Sequence, residues 1–256
     1  MLEPRKVDKP LVLYGNGRLA RLALEIFDSL GLKPTAVLDG WRWGDKESVS
    51  DGIKRDALIA ICIASEPYVP LLNMLRAAAW RDVVPVWDII EAYPEVNIRN
   101  GWFLGELSIK EKEFVRRLSW GDDLSGSHYA SFLAWRKSHM EMRYRPYDGI
   151  HTYPSTLRDV RMRQYVHRMS REALKTSSEW DIHAEGFELE TLERNMRSFA
   201  EMRPTLRVAC YHSRDGAFAI PQLLMESLED YVFTFRLTAY MGQGAYIICT
   251  PQEDMK

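Results

Sequence analysis

The chain has 256 residues, 46% of them hydrophobic and 27% charged, with a formal net charge of −2, which is enough apolar material for a sizeable core in one large or two small domains. No stretch nears the roughly 18 consecutive apolar residues of a membrane span, and Met1–Lys9 lacks the apolar centre of a secretory signal. No membrane partner and a cytoplasmic location are therefore expected.

Leu11–Tyr14 is short, apolar and followed by glycine, the pattern of a buried strand entering a tight turn. Leu22, Ala23, Ile26, Phe27 and Leu30 recur at three- and four-residue spacing, so a helix should run from Leu19 to a stop at Gly31. Pro34–Leu38, the apolar run Ala57–Ala64 and Val83–Trp87 read as further strands, with an amphipathic helix over Val69–Trp80. Strands alternating with helices predict a doubly wound α/β domain over residues 1–92. Cys62, Cys210 and Cys249 each lie in an apolar run and read as buried thiols, and nothing in their spacing suggests zinc or any other metal site. The eight tryptophans follow no helical stripe and are expected in core or interface packing.

Chemistry enters at Gly15-Asn16-Gly17-Arg18-Leu19-Ala20. A phosphate needs closely approachable backbone N–H groups at the positive end of a helix, so small residues are required where the strand turns. Gly15 permits the turn, Gly17 the close approach and Ala20 the packing of helix on strand, while Arg18 either meets a phosphate or is solvated. Asp39 stands roughly twenty residues on, where a carboxylate can accept from ribose hydroxyls. The alternative reading is a purely structural strand-to-helix turn. This segment resembles the N-terminal domain of bacterial sugar acyltransferases and the similar domain ahead of some FkbM-type methyltransferases. That resemblance implies a nucleotide sugar at least as readily as NAD.

Residues 93–179 read as a mostly helical connector, with a loop at Asn97–Leu104 and a helix over Lys110–Trp120 that buries Phe114, Val115 and Leu118. Asp122–Arg136 resembles the helix preceding the catalytic domain in two-domain FkbM-type proteins, and His151-Thr-Tyr-Pro154 is similar to the segment before that domain's first strand. Between Arg136 and Arg171 there are nine Lys or Arg against three Asp or Glu, interleaved with tyrosines. A nucleic-acid groove mixes residues in the same way, but no nucleic-acid signature accompanies the cluster in this slightly acidic chain, and a solvated helix face is the expectation.

The FkbM-type resemblance is densest over residues 180–256. Asp181-Ile-His-Ala-Glu-Gly-Phe-Glu-Leu-Glu190 is similar to "KIDVEGFELE", Pro204–Ser213 to "PxLAISVYHxP" and Ile220–Leu224 to "IPxLL". The resemblance implies a methyltransferase-like half-domain whose last two strands, Tyr231–Tyr240 and Ala245–Thr250, form a closing pair. His183 stands at the family's Asp position, whereas Glu185 and Gly186 are kept. His183 and Glu185 are the candidate catalytic residues, against a reading in which Glu185, Glu188 and Glu190 serve the helix dipole and His183 is merely hydrogen-bonded. His212 reads as part of the strand Val208–His212.

The family also implies a glycine-rich turn that seats S-adenosylmethionine before Trp180, but Thr156–Glu179 contains no glycine. The strand at Trp180–His183 would then lose its neighbours on one side. A helix over Thr156–Glu179, or a second copy of the chain, is expected to cover the edge. Together these readings predict an α/β protein similar to the FkbM methyltransferase family that binds a nucleotide or nucleotide sugar and is catalytically degenerate, and the resemblance implies a place in glycan or polysaccharide biosynthesis. The alternatives are an active S-adenosylmethionine-dependent O-methyltransferase acting on a sugar, and a structural or interaction protein that binds nothing.

Overall fold

The computed structural model describes residues 4–38, 51–63, 66, 68–96, 102–138, 178–238, 242 and 244–252. Asp39, His151–Pro154 and residues 156–177 of the expected covering helix lie outside the described residues. The described residues up to 96 belong to one compact unit, and those of 102–137 and from 178 onward to another.

In the first unit β1 (Leu11–Tyr14), α1 (Arg18–Ser29), β2 (Ala36–Leu38), α2 (Asp51–Asp56), β3 (Leu58–Ile61), α3 (Tyr68–Ala77), β4 (Asp82–Pro85) and α4 (Val86–Ile90) follow one another. The four strands pair in parallel in the order β2-β1-β3-β4. Every residue of β1 and β3 is buried, as expected of central parallel strands covered on both faces. Helix α1 buries Ala20, Ala23, Ile26 and Phe27 and leaves Leu22 38% exposed, so Leu22 falls outside the buried face expected of it. At its end Gly31, at φ +70°, donates to the Asp28 carbonyl while Leu32 donates to that of Phe27, a paired closure that requires a left-handed residue. Strand β4 stops at Pro85 rather than Trp87. Proline offers no N–H to continue the ladder, and from Val86 the chain turns into α4, which buries Trp87.

The second unit comprises α5 (Ile109–Arg117), α6 (Asp123–Ser138), β5 (Glu179–Ile182), α7 (Glu188–Met202), β6 (Thr205–Ala209), α8 (Gly216–Ser227), β7 (Tyr231–Leu237) and β8 (Ala245–Pro251). Its sheet runs β5-β6-β8-β7, with β5 and β6 parallel and β8 antiparallel to both neighbours, so β7 and β8 form the expected closing pair. The chain is thus α/β, with a parallel sheet in one unit and a mixed sheet in the other.

Helices α5 and α6, placed in a connector by the sequence, pack in this second unit. Tyr129, Phe132 and Leu133 of α6 share one core with Trp180, Leu192, Phe199 and Phe235, whereas Phe114, Val115 and Leu118 of the α5 segment are only partly buried against it. Helix α6 also resolves an edge problem. Strand β7 ends the sheet, and its outward groups are met by Ser125 Oγ (from Phe235 N, 2.9 Å), His128 Nδ1 (from Leu237 N, 3.2 Å) and the Gly121 N–H (to Phe233 O, 2.8 Å). Strand β5 lies at the opposite end and, among the described residues, pairs with β6 alone.

Candidate functional sites

The glycine loop of the first unit stands where the sheet reverses direction. The chain crosses from β1 to β2 on one side and returns to β3 on the other, so the carboxyl ends of β1 and β3 flank a topological switch point, where open α/β sheets place their ligands. Gly15 donates to Leu38 O at 2.8 Å and Cys62 to Tyr14 O at 2.8 Å, which holds the ends of three strands together. Gly15 has φ +118°, and a Cβ there would meet Ile63 Cγ1 at 2.8 Å and the Cys62 carbonyl at 3.0 Å, so only glycine fits. Gly17 differs. Its φ is −85°, it caps α1 without a side-chain bond, and a Cβ would meet nothing within 4 Å. No described atom requires that residue to be glycine. Asn16, Gly17 and Arg18 are exposed, and Ala20 is buried under α1 as the motif demands.

A second concentration of polar chemistry sits at the carboxyl ends of β5 and β6. Alternation sends Trp180, Ile182, Leu206 and Val208 into the core, and places the register partners Asp181 and Arg207 on the other face as a buried ion pair. His183 follows on that polar face. The chain then turns through Glu185 (φ +51°) and Gly186 (φ +98°) into α7. Beyond β6 come Tyr211 and His212, so His212 lies past the strand expected to contain it, which ends at Ala209. This loop is pinned by its own carbonyl: Trp102 Nε1 (2.9 Å) and Arg136 Nη2 (3.0 Å) both donate to Tyr211 O, and the Arg136 guanidinium stacks 4.3 Å above the Trp102 ring.

The two turns bring His183, Glu185 and His212 together, with one ligand-type atom from each within 4.8 Å of the others. His183 Nε2 and His212 Nε2 each lie 3.9 Å from a Glu185 oxygen, and the imidazole centroids are 4.9 Å apart. Tyr211 Oη lies 3.2 Å from His183 Nε2 and Tyr246 Oη 3.3 Å from His183 Nδ1. Behind His212, Glu188 Oε1 stands 2.7 Å from Nδ1. Glu188 is itself fixed by the backbone N–H groups of Ala184 (2.8 Å) and Gly186 (3.0 Å). Burial would push the Glu188 carboxyl up, but the His212 contact and the backbone N–H groups outweigh it and hold the group below the usual carboxylate range. Burial, reinforced by Tyr246 and the nearby carboxylates, pushes the Tyr211 hydroxyl far above its ordinary value, so it stays a neutral phenol.

Of the residues singled out by sequence, His183 and Glu185 do meet, while Glu190 turns away to pair with Arg194. Glu188 and His212, read from sequence as a helix-dipole acid and a strand residue, join the site together with Tyr211, Tyr246 and Arg136, which carried no linear signal. All three cysteines are free and buried, and burial pushes the Cys62 thiol up to about 12.

Gly186, in the turn from β5 into α7, brings its N–H to Glu188.

No protein-family model matches the chain, and neither does any curated protein sequence. Among solved structures it is similar to the crystal structure of methyltransferase FkbM from Methylobacillus flagellatus KT, with a TM-score of 0.54 at 13% identity, covering 96% of this chain and 90% of that one. At that identity the likeness shows the fold: a methyltransferase-like α/β architecture. Among the described residues no helix is long and apolar enough to cross a membrane.

Proposed function

We propose that this chain binds a nucleotide-type ligand, a nucleotide sugar ahead of NAD, at the Gly15–Ala20 loop, and that it serves glycan or polysaccharide biosynthesis as a methyltransferase-fold protein without S-adenosylmethionine chemistry. The observation that carries the reading is the contrast between the two glycines. Gly15 is demanded by the fold, whereas Gly17 faces open space at the first turn of α1, where a phosphate would collect backbone N–H groups and the helix dipole. The resemblance of this segment to the sugar acyltransferase domain supports a sugar nucleotide, and Asp39 is the proposed ribose partner.

Calorimetry with UDP- and GDP-sugars, NAD and S-adenosylmethionine tests it. One of the nucleotides should bind, and Gly17→Val, which fills the approach path, should weaken that binding at least tenfold while leaving the melting temperature near that of the parent chain. Unchanged affinity in Gly17→Val would move the site elsewhere. Micromolar binding of S-adenosylmethionine would favour an active methyltransferase instead.

A further inference from the structure

We propose that His183, Glu185 and His212 form a binding site for one divalent first-row transition metal ion of the zinc class. Two imidazoles and one carboxylate are the donor set of open three-ligand metal sites, and nitrogen donors select such ions over calcium or magnesium. Donor atoms bound to a common ion at about 2.1 Å in tetrahedral geometry sit about 3.4 Å from one another. The two imidazoles reach different Glu185 oxygens at 3.9 Å, and one donor atom from each of the three residues lies within 4.8 Å of the others, so the set needs to close by up to about 1.4 Å; the Glu185 side chain, 62% exposed, is the mobile partner, while that of His212 is only 1% exposed.

His212 supplies a second and independent observation. Both of its ring nitrogens are buried without a well-aligned hydrogen bond among the described residues, although an orphaned buried nitrogen costs on the order of 1–3 kcal/mol. Its Nε2 points toward Glu185, and the opposite ring nitrogen lies 2.7 Å from Glu188. A carboxylate 2.7 Å from the non-ligating nitrogen favours a proton on Nδ1, which leaves the Nε2 lone pair for a metal, as carboxylates do behind ligating histidines generally. Glu188 is anchored by two backbone N–H groups from the same turn that presents Glu185, so ligand and support are built by one loop. The Tyr211 hydroxyl lies 3.2 Å from His183 Nε2 and the Tyr246 hydroxyl 3.3 Å from Nδ1, so metal binding exchanges the Tyr211 contact for the ion while Tyr246 holds the far nitrogen.

The test uses the full, tag-free chain, stripped with a chelator and titrated with Co²⁺ and then Zn²⁺. One equivalent of Co²⁺ should bind with visible absorption bands that Zn²⁺ abolishes. Glu185→Gln, at an exposed position, and His183→Ala should each weaken binding by at least about 100-fold, while Glu188→Gln should weaken it by about 10- to 100-fold. Circular dichroism of the metal-free variants should match the parent. Absence of Co²⁺ bands in the parent chain, or binding unaltered in both Glu185→Gln and His183→Ala, would overturn the proposal.

Discussion

Replacing Gly15 by alanine should cost about 2–6 kcal/mol of stability in the first unit, whereas the same replacement at Gly17 should be close to neutral. At Gly15 two penalties combine. Holding a non-glycine residue at φ +118° costs roughly 1–3 kcal/mol, and overpacking a dense site adds about 1–3 kcal/mol. The clash falls on Ile63 Cγ1 at 2.8 Å, which can move, and on the Cys62 carbonyl at 3.0 Å, which moves only with the end of β3. Alanine at Gly17 meets nothing within 4 Å. There the small loss in capping preference, roughly 0.5–1 kcal/mol, is offset by about 0.4–1 kcal/mol from the stiffer unfolded chain. Native-state hydrogen exchange at the Gly15 and Cys62 amides, which bond Leu38 O and Tyr14 O, reads the unit locally. Protection in Gly15→Ala equal to that of the parent would refute the reasoning, and so would an equal loss in both variants.

Three further outcomes are expected. Burial pushes the Asp122 carboxyl up, but bonds from Arg236 and Ser125 outweigh it and hold the group at about 2, below its ordinary 3.8. A folded value below the unfolded one means the contribution is complete above about pH 4 and is lost as the pH falls toward 2. With the side chain 37% exposed the effect is about 1 kcal/mol, and acid titrations of the parent and Asp122→Asn should converge at pH 2. Phe199→Ala, in the fully buried face of α7, should destabilise the second unit by about 3–5 kcal/mol in urea unfolding. Because all three thiols are buried, a disulfide reagent at pH 8 should label none rapidly in the native chain and all three in denaturant.

The first unit was legible because its signals are local. A four-residue apolar strand, a glycine turn and a 3.6-residue period each fix an element without reference to distant residues, and Leu11–Tyr14 forms the strand expected of it. Pro85 also carried its message, as the residue that ends β4, but the apolar run through Trp87 masked it. The second site was legible only in part. His183 and Glu185 are two residues apart and stood out as polar groups after a strand, whereas His212 arrives from β6 through the parallel pairing of Ile182 with Val208. Nothing in linear spacing records that pairing, nor the reach of Arg136 from α6 to the Tyr211 carbonyl. The placing of α6 was missed for a related reason: Ser125 and His128 look like ordinary helix residues until β7 needs acceptors for its edge N–H groups.

The most direct test of the nucleotide reading is backbone amide chemical-shift mapping of the parent chain saturated with whichever UDP- or GDP-sugar or NAD binds in calorimetry. The largest shifts are expected at the amides of Gly15, Asn16, Gly17 and Arg18, with those of His183–Glu188 unmoved. Shifts concentrated at His183–Glu188 and Tyr211–His212, with the glycine loop silent, would contradict it.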